Sequence, residues 1–164
     1  MLFSQLNSLH AINLDCIFEE STGWLNLEFY RCKIDGVSIT KQYQVIEKVT
    51  GIHEKWKNDS SVEEFSPQHS SKTINYFPRN LDKHFLNIKK IYMAEVELKE
   101  IHQRDLKPFV KLELLSLNGN QLEYLEVDLL KFNTKLKAFN AQNNKILYID
   151  PQVFDHLNMM THLQ

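Results

Sequence analysis

Apolar residues recur every 24 residues through the second half of this chain, and this spacing limits the possible fold more than any other feature. Each unit opens with the pattern apolar-x-x-apolar-x-apolar, as in Leu112, Leu115 and Leu117. The period is too long for one helix or one strand, whose patterns repeat after roughly 3.6 and 2 residues. We therefore expect stacked units at residues 88–111, 112–135 and 136–159, a degenerate unit at 64–87 and a truncated unit at 160–164.

The opening pattern of each unit predicts a short strand. Side chains alternate along a strand, so Leu115 and Leu117 are expected to face a core while Ser116 faces outward. Units stacked at ~4.8 Å would form a parallel sheet. The ninth position holds Asn120 and Asn144, whose amides can both donate to and accept from backbone groups at the turn, which predicts an asparagine ladder. The alternative is that asparagine is simply common in turns.

The cysteines lie in a segment rich in strand-forming residues. Cys16 and Cys32 belong to two alternating runs separated by Ser21, Thr22 and Gly23, which indicates a hairpin. A disulfide there would stabilise the folded chain by about 3 kcal/mol, because it closes a loop in the unfolded chain. The linked hairpin would cover the open end of the stack. Two free buried thiols in an intracellular protein are the alternative.

Composition bounds the remaining possibilities. The chain is 43% hydrophobic and 24% charged, which is ordinary for a folded protein, and its net charge of −2 disfavours nucleic acid as a partner. No apolar run approaches the ~20 residues that cross a bilayer. We expect a tail at residues 1–15, a cap at 16–63 and repeats at 64–164. Polar residues interrupt the tail, so it is not a clear signal peptide, and either the chain is intracellular or it starts upstream.

From Cys16 onward the sequence resembles extracellular leucine-rich repeat proteins of insects. The resemblance is carried by the motif from Tyr30 to Cys32, the turn at Gly51, and segments such as the one ending in Pro108 and Phe109. It implies a β-rich α/β fold: a horseshoe-shaped solenoid with a parallel concave sheet and a disulfide-linked hairpin cap. It also implies a secreted or cell-surface module that binds a protein or cell-surface ligand. The chain departs from the family in having no cysteine cap after Leu163.

The candidate binding residues are the outward positions of the predicted strands. They are Lys89, Tyr92, Glu113, Leu114, Ser116, Asn118, Lys137, Asn140, Gln142 and His162. The set mixes aromatic, amide and charged side chains, which favours a polar protein-recognition surface over a charged groove. For any one of these residues, simple solvent exposure is the alternative.

No catalytic or metal-binding pattern is present, and we predict neither an enzyme nor a cofactor. The histidines lack the H-E-x-x-H spacing, and no phosphate-binding glycine loop occurs. Asn58 opens an N-x-S/T motif and would be a glycan site if the chain is secreted. An exposed final strand would allow self-association through the C-terminal edge. An intracellular scaffold of the same fold, with free thiols, remains the alternative function.

Overall fold

The computed structural model describes residues 11–22, 26–67 and 73–164. In chain order its strands are β1 (Ala11–Thr22), β2 (Glu28–Ile34), β3 (Val45–Thr50), β4 (Glu64–Pro67), β5 (Lys90–Tyr92), β6 (Leu114–Ser116), β7 (Ala138–Asn140) and β8 (His162–Leu163). Two short helices, α1 (Leu81–His84) and α2 (Gln103–Leu106), and a 3₁₀ helix at Pro151–Phe154 lie on the returning segments, and a second 3₁₀ helix at Asp59–Ser61 lies between β3 and β4. The fold is therefore rich in β-structure, and its helices are short.

The described strands form one eight-stranded sheet in the order β3-β1-β2-β4-β5-β6-β7-β8. From β4 to β8 every pairing is parallel. Leu114 pairs with Lys90 on one side and with Ala138 on the other, and Ala138 pairs with His162. These partners lie 24 residues apart in sequence, so the structure confirms the predicted stacked parallel sheet.

The first repeat strand is out of register with the 24-residue grid. Glu64 in β4 pairs with Lys90 in β5, which is 26 residues away. The unit predicted to begin at Glu64 therefore begins two residues earlier, at Val62, which is fully buried like its counterpart Ile88. The insertion predicted at residues 68–72 lies outside the described residues.

The N-terminal cap is an antiparallel hairpin of β1 and β2. Cys16 and Cys32 form the predicted disulfide, with their Cα atoms 5.1 Å apart, and this confirms the disulfide-linked cap. The hairpin is longer than predicted. Strand β1 begins at Ala11, within the predicted tail, and it continues through Ser21 and Thr22, where the sequence predicts the turn.

A single main core extends along the stack from Leu14 in the cap to Leu157 in the last complete unit. The inward residues of successive strands, Ile91, Leu115 and Phe139, are fully buried. A buried side chain of this size contributes about 1.5–3 kcal/mol through removal of apolar surface from water. The core thus fixes which strand residues face outward.

Candidate binding face

The outward face of the sheet is formed by the strand side chains that alternate with the core residues. We call this surface the outward face. Its members on the repeat strands are Glu64, Ser66, Lys90, Tyr92, Leu114, Ser116, Ala138, Asn140 and His162. Because the strands are parallel and in register, equivalent positions stand next to each other at about 4.8 Å. The face is therefore organised in rows that run across the strands.

Alternating charges line the row just before the strands. Lys89 Nζ lies 2.5 Å from Glu63 Oε1, and Lys137 Nζ lies 2.6 Å from Glu113 Oε2. These pairs are partly exposed, so each contributes at most about 1 kcal/mol to stability. Three predicted binding residues, Lys89, Glu113 and Lys137, thus already have ionic partners on neighbouring strands.

The next row is buried, although it faces away from the main core. Glu64 Oε2 lies 3.0 Å from Lys90 Nζ and accepts a 2.5 Å hydrogen bond from the Ser21 hydroxyl. Further along the row, Leu114 and Ala138 are 1% and 0% exposed. A buried ion pair thus lies beside a buried apolar pair on the outward face.

The cap covers this row. Phe29 is buried against Leu114 and Ala138, and Leu27 packs against the same group. Strand alternation places Phe29 on the outward side of β2, because Tyr30 and Cys32 face the main core. The expectation that Leu114 is accessible to a partner is therefore wrong.

Ser116 is the other predicted binding residue that is not accessible. It points outward as predicted but is only 4% exposed, and its hydroxyl donates to Asn118 Oδ1 at 2.7 Å. Of the ten predicted residues, Leu114 and Ser116 are thus unable to present a surface in this structure. For the other eight residues, contact with a partner remains a prediction.

The accessible part of the outward face is rich in amides and carries little charge. Tyr92 is 37% exposed. Asn140 Nδ2 donates to Gln164 Oε1 at 3.0 Å, and Asn140 Oδ1 accepts from the backbone N–H of Gln142 at 2.9 Å. His162 is exposed at the end of the row. This arrangement offers donors and acceptors to a polar partner, and binding through these residues remains a prediction.

The two ninth-position asparagines satisfy the turns beneath this face. Asn120 Nδ2 donates to Met93 O at 2.7 Å and to Leu117 O at 2.9 Å, while its Oδ1 accepts from the amides of Val96 and Leu98. The turn of the first unit, where valine occupies the ninth position, is thus completed by an asparagine of the next unit.

Asn144 repeats the arrangement one unit later. Its Nδ2 donates to Leu117 O and Ala141 O, and its Oδ1 accepts from the amide of Leu122 at 3.0 Å. Asn144 is only half-buried, whereas Asn120 is 6% exposed. Water can therefore reach part of the second site.

Beside the disulfide, the cap is held by an aromatic and polar cluster. The His53 ring stacks on Phe18 with centroids 3.7 Å apart, and His53 Nδ1 lies 3.2 Å from the Tyr30 hydroxyl. Burial raises the pKa of Tyr30, although the hydrogen bond from the Glu54 amide opposes the change. These contacts fix the hairpin against the loop that follows β3.

Asn58 lies on the exposed loop of the cap. It is the N-cap of the 3₁₀ helix Asp59–Ser61, and its Oδ1 accepts from the Ser60 amide at 2.9 Å. Solvent exposure of the motif is compatible with a glycan, and glycosylation of Asn58 remains a prediction.

His102 is held between two carboxylates, which indicates a structural role. His102 Nδ1 lies 2.6 Å from Glu126 Oε1, and Nε2 lies 3.4 Å from Glu100 Oε1. Burial alone would lower the pKa of His102, but the hydrogen bonds to these carboxylates raise it overall. Within the described part of the chain, no group of three metal-ligating side chains is present, and no helix is long and apolar enough to span a membrane.

Sequence reasoning missed two features. One is the cover formed by Phe29. The only signal for it was an aromatic side chain on the same face of the strand as Arg31 and Lys33. The other is Asn133, which is fully buried and donates from Nδ2 to Leu106 O and Phe109 O on the returning segments. A lone polar residue at a position that is apolar in neighbouring units was the available signal.

Comparison with solved structures identifies the fold. The leucine-rich repeat domain in a crystal structure of APL1 matches with a TM-score of 0.71 and 15% identity over 93% of this chain and 35% of that chain. A chain in the structure of the Toll–Spatzle complex, described as a hub in Drosophila development and innate immunity, matches with a TM-score of 0.57 and 14% identity. That match covers 71% of this chain and 16% of the other.

The architecture is thus a leucine-rich repeat fold. At these identities the likeness shows the fold alone, and this chain spans only about a third or less of the length of those proteins. No protein-family model matches the sequence, and no curated protein matches it.

Proposed function

We propose that this chain is a protein-recognition module of a secreted or cell-surface leucine-rich repeat protein of the kind found in insects. The observation that carries the proposal is the Cys16–Cys32 disulfide on a solenoid whose outward face is polar in its accessible part. Disulfides persist in oxidising environments and are rare in the cytosol, which argues against the intracellular scaffold. A leucine-rich repeat protein of similar fold, Toll, is in a complex with Spatzle, which supports protein as the class of ligand.

The size of the face limits how the module binds. The five repeat strands, β4 to β8, are two to four residues long, and at ~10 Å per strand and ~4.8 Å spacing they provide roughly 240 Å². A standard interface needs about 800 Å² per partner. The Phe29 contact occupies part of this area, so we expect a partner to contact the edges of the sheet as well, from Tyr92 toward Gln142 and His162. Self-association through β8, whose His162 and Leu163 are exposed, remains a second way to enlarge the surface.

Photo-crosslinking tests the binding face. A benzophenone amino acid replaces Tyr92 in one variant and Leu147, which is 99% exposed and lies outside the strands, in a matched control. After irradiation in extracellular fluid of the source organism, we expect discrete protein adducts from position 92 and none from position 147. Equal adducts at both positions, or none at position 92, would contradict the proposal.

The compartment is tested separately. Chain isolated from its source under thiol-trapping conditions should contain no alkylated cysteine until it is reduced. Two cysteines that react without reduction would favour the intracellular alternative.

A further inference from the structure

The outward face carries its own apolar cluster, which is distinct from the main core. Phe29, Leu114 and Ala138 are buried together, with Leu27 packed at the edge. The main core lies on the opposite side of the sheet and includes Leu115 and Phe139. Phe29 lies on β2, yet it belongs to one cluster with Leu114 of β6 and Ala138 of β7, although β4 and β5 stand between β2 and β6 in the sheet. The Phe29 side chain therefore packs over the outward face, while the β2 backbone stays paired between β1 and β4.

The backbone of this segment is paired in the hairpin, where Ser21 faces Phe29, but few polar side-chain contacts hold the Phe29 side chain on the outward face. The Ser21 hydroxyl lies 2.5 Å from Glu64 Oε2 and 3.3 Å from the Phe29 carbonyl oxygen, and a hydroxyl has one proton to donate. The Lys90 ammonium lies 5.8 Å from the Phe29 ring centroid, within the range of a cation–π contact. We refer to Ser21, Leu27 and Phe29 together as the Phe29 cover.

We propose that the Phe29 cover is a releasable occupant of the binding face, and that a partner reaches Leu114 and Ala138 only after it is displaced. The partner would place an aromatic or aliphatic side chain where Phe29 lies, beside the Glu64–Lys90 ion pair. This inference rests on the proposed function, because it describes how access to the same face is controlled.

The separation of the two clusters is the physical basis for release. Local opening requires few apolar contacts to break, and small clusters outside the main core open at lower free energy than the whole domain. Lifting Phe29 leaves the inward side of the sheet and the disulfide in place. The opened face would present an apolar centre with a polar surround, which is the usual anatomy of a protein interface.

Thiol labelling tests release without any partner. The chain has two cysteines, both in the disulfide, so one engineered cysteine is the sole reactive thiol. Ala138→Cys reports on the covered site. Val153→Cys, in the main core, reports on global unfolding, and Ser38→Cys, which is exposed, gives the unhindered rate.

We expect the maleimide reaction of the Ala138→Cys variant to be slower than that of Ser38→Cys and faster than that of Val153→Cys. Adding Phe29→Ala should raise the Ala138→Cys rate about tenfold, because it removes the main apolar contact of the cover, and leave the Val153→Cys rate within about twofold. Ser116→Cys, a nearly isosteric change on the same face, is the second reporter if Ala138→Cys does not fold, and the same order of rates is expected.

The proposal is overturned if the reporter on the outward face reacts at the Val153→Cys rate with the same urea dependence, because the cover then opens only with the whole domain. It is equally overturned if that reporter reacts as fast as Ser38→Cys before Phe29 is changed. Both results concern the cover alone, whereas the crosslinking experiment decides the proposed function.

Discussion

Replacing Asn120 with alanine should destabilise the solenoid more than any other single asparagine change on the ladder. The Asn120 amide group makes two donations, to Met93 O and Leu117 O, and accepts from two backbone amides of the preceding unit. The site is 6% exposed, so water does not readily replace these contacts. The substitution leaves the Met93 carbonyl group and the amide groups of Val96 and Leu98 without their Asn120 partner, and Leu117 O keeps only the donor from Asn144.

The magnitude follows from counting the lost contacts. At about 1 kcal/mol net for each hydrogen bond, Asn120→Ala should cost about 4 kcal/mol. Asn144 makes three hydrogen bonds within 3.0 Å and is half-buried, so Asn144→Ala should cost about 2 kcal/mol. Asn158 is exposed, and Asn158→Ala should change the free energy of unfolding by less than about 0.5 kcal/mol.

Urea unfolding followed by far-UV circular dichroism measures these differences. With a slope of about 2 kcal/mol per molar urea, the midpoint should fall by about 2 M for Asn120→Ala and by about 1 M for Asn144→Ala. The slopes should match, because a change in slope would indicate loss of cooperativity along the stack. Equal midpoint shifts for the two ladder variants, or an Asn120→Ala shift no larger than that of Asn158→Ala, would refute the reasoning.

Three other substitutions test the cap, the buried ion pair and the histidine. Gly51→Ala should lower the free energy of unfolding, measured by thermal unfolding, by about 3 kcal/mol, because φ is +135° and a Cβ would lie 2.2 Å from a backbone oxygen. The control Gly36→Ala, at φ +70° with nothing within 4 Å of the added Cβ, should lower it by about 1 kcal/mol. Glu64→Gln should cost about 3 kcal/mol in urea unfolding, because it leaves a buried lysine unpaired, against less than about 1 kcal/mol for the half-exposed Glu63→Gln. His102→Gln should destabilise the protein more at about pH 5.5 than at about pH 8.5. Folding raises the pKa of His102 above about 6.5, so the protonated side chain stabilises the fold below that pH, and this stabilisation is lost as the pH rises through the raised pKa. Equal urea midpoint shifts at the two pH values would contradict this.

The fold could be predicted because the stack imposes the same requirement on every unit. Positions such as Leu112 and Leu136 are buried by the identical position of the next unit, so each copy of the pattern reports on the same environment. The register of β4 could not be predicted in this way. Its unit contains two more residues between Glu64 and Lys90, and apolar spacing gives no signal for the length of an outward loop.

The burial of Leu114 on the outward face also could not be predicted from the sequence. Alternation in β2 shows that Phe29 shares a face with Arg31, but it does not show that the Phe29 side chain joins Leu114 and Ala138 in one buried cluster. Leu114 was therefore interpreted as an exposed binding residue, when its apolar character matches a partner within the same chain. An apolar residue at an outward position of a repeat is better interpreted as a contact whose partner has yet to be located.

The charges on the outward face follow from the same stacking that builds the core. Equivalent positions lie about 4.8 Å apart, so like charges in one row would repel each other across every pair of strands. The row of Glu63, Lys89, Glu113 and Lys137 alternates in sign, and its members pair at 2.5 to 2.6 Å. These charges are neutralised within the protein, which leaves little long-range field to steer a charged partner. Recognition on this face should therefore depend on hydrogen bonds and apolar contact at short range, and association should vary little with ionic strength.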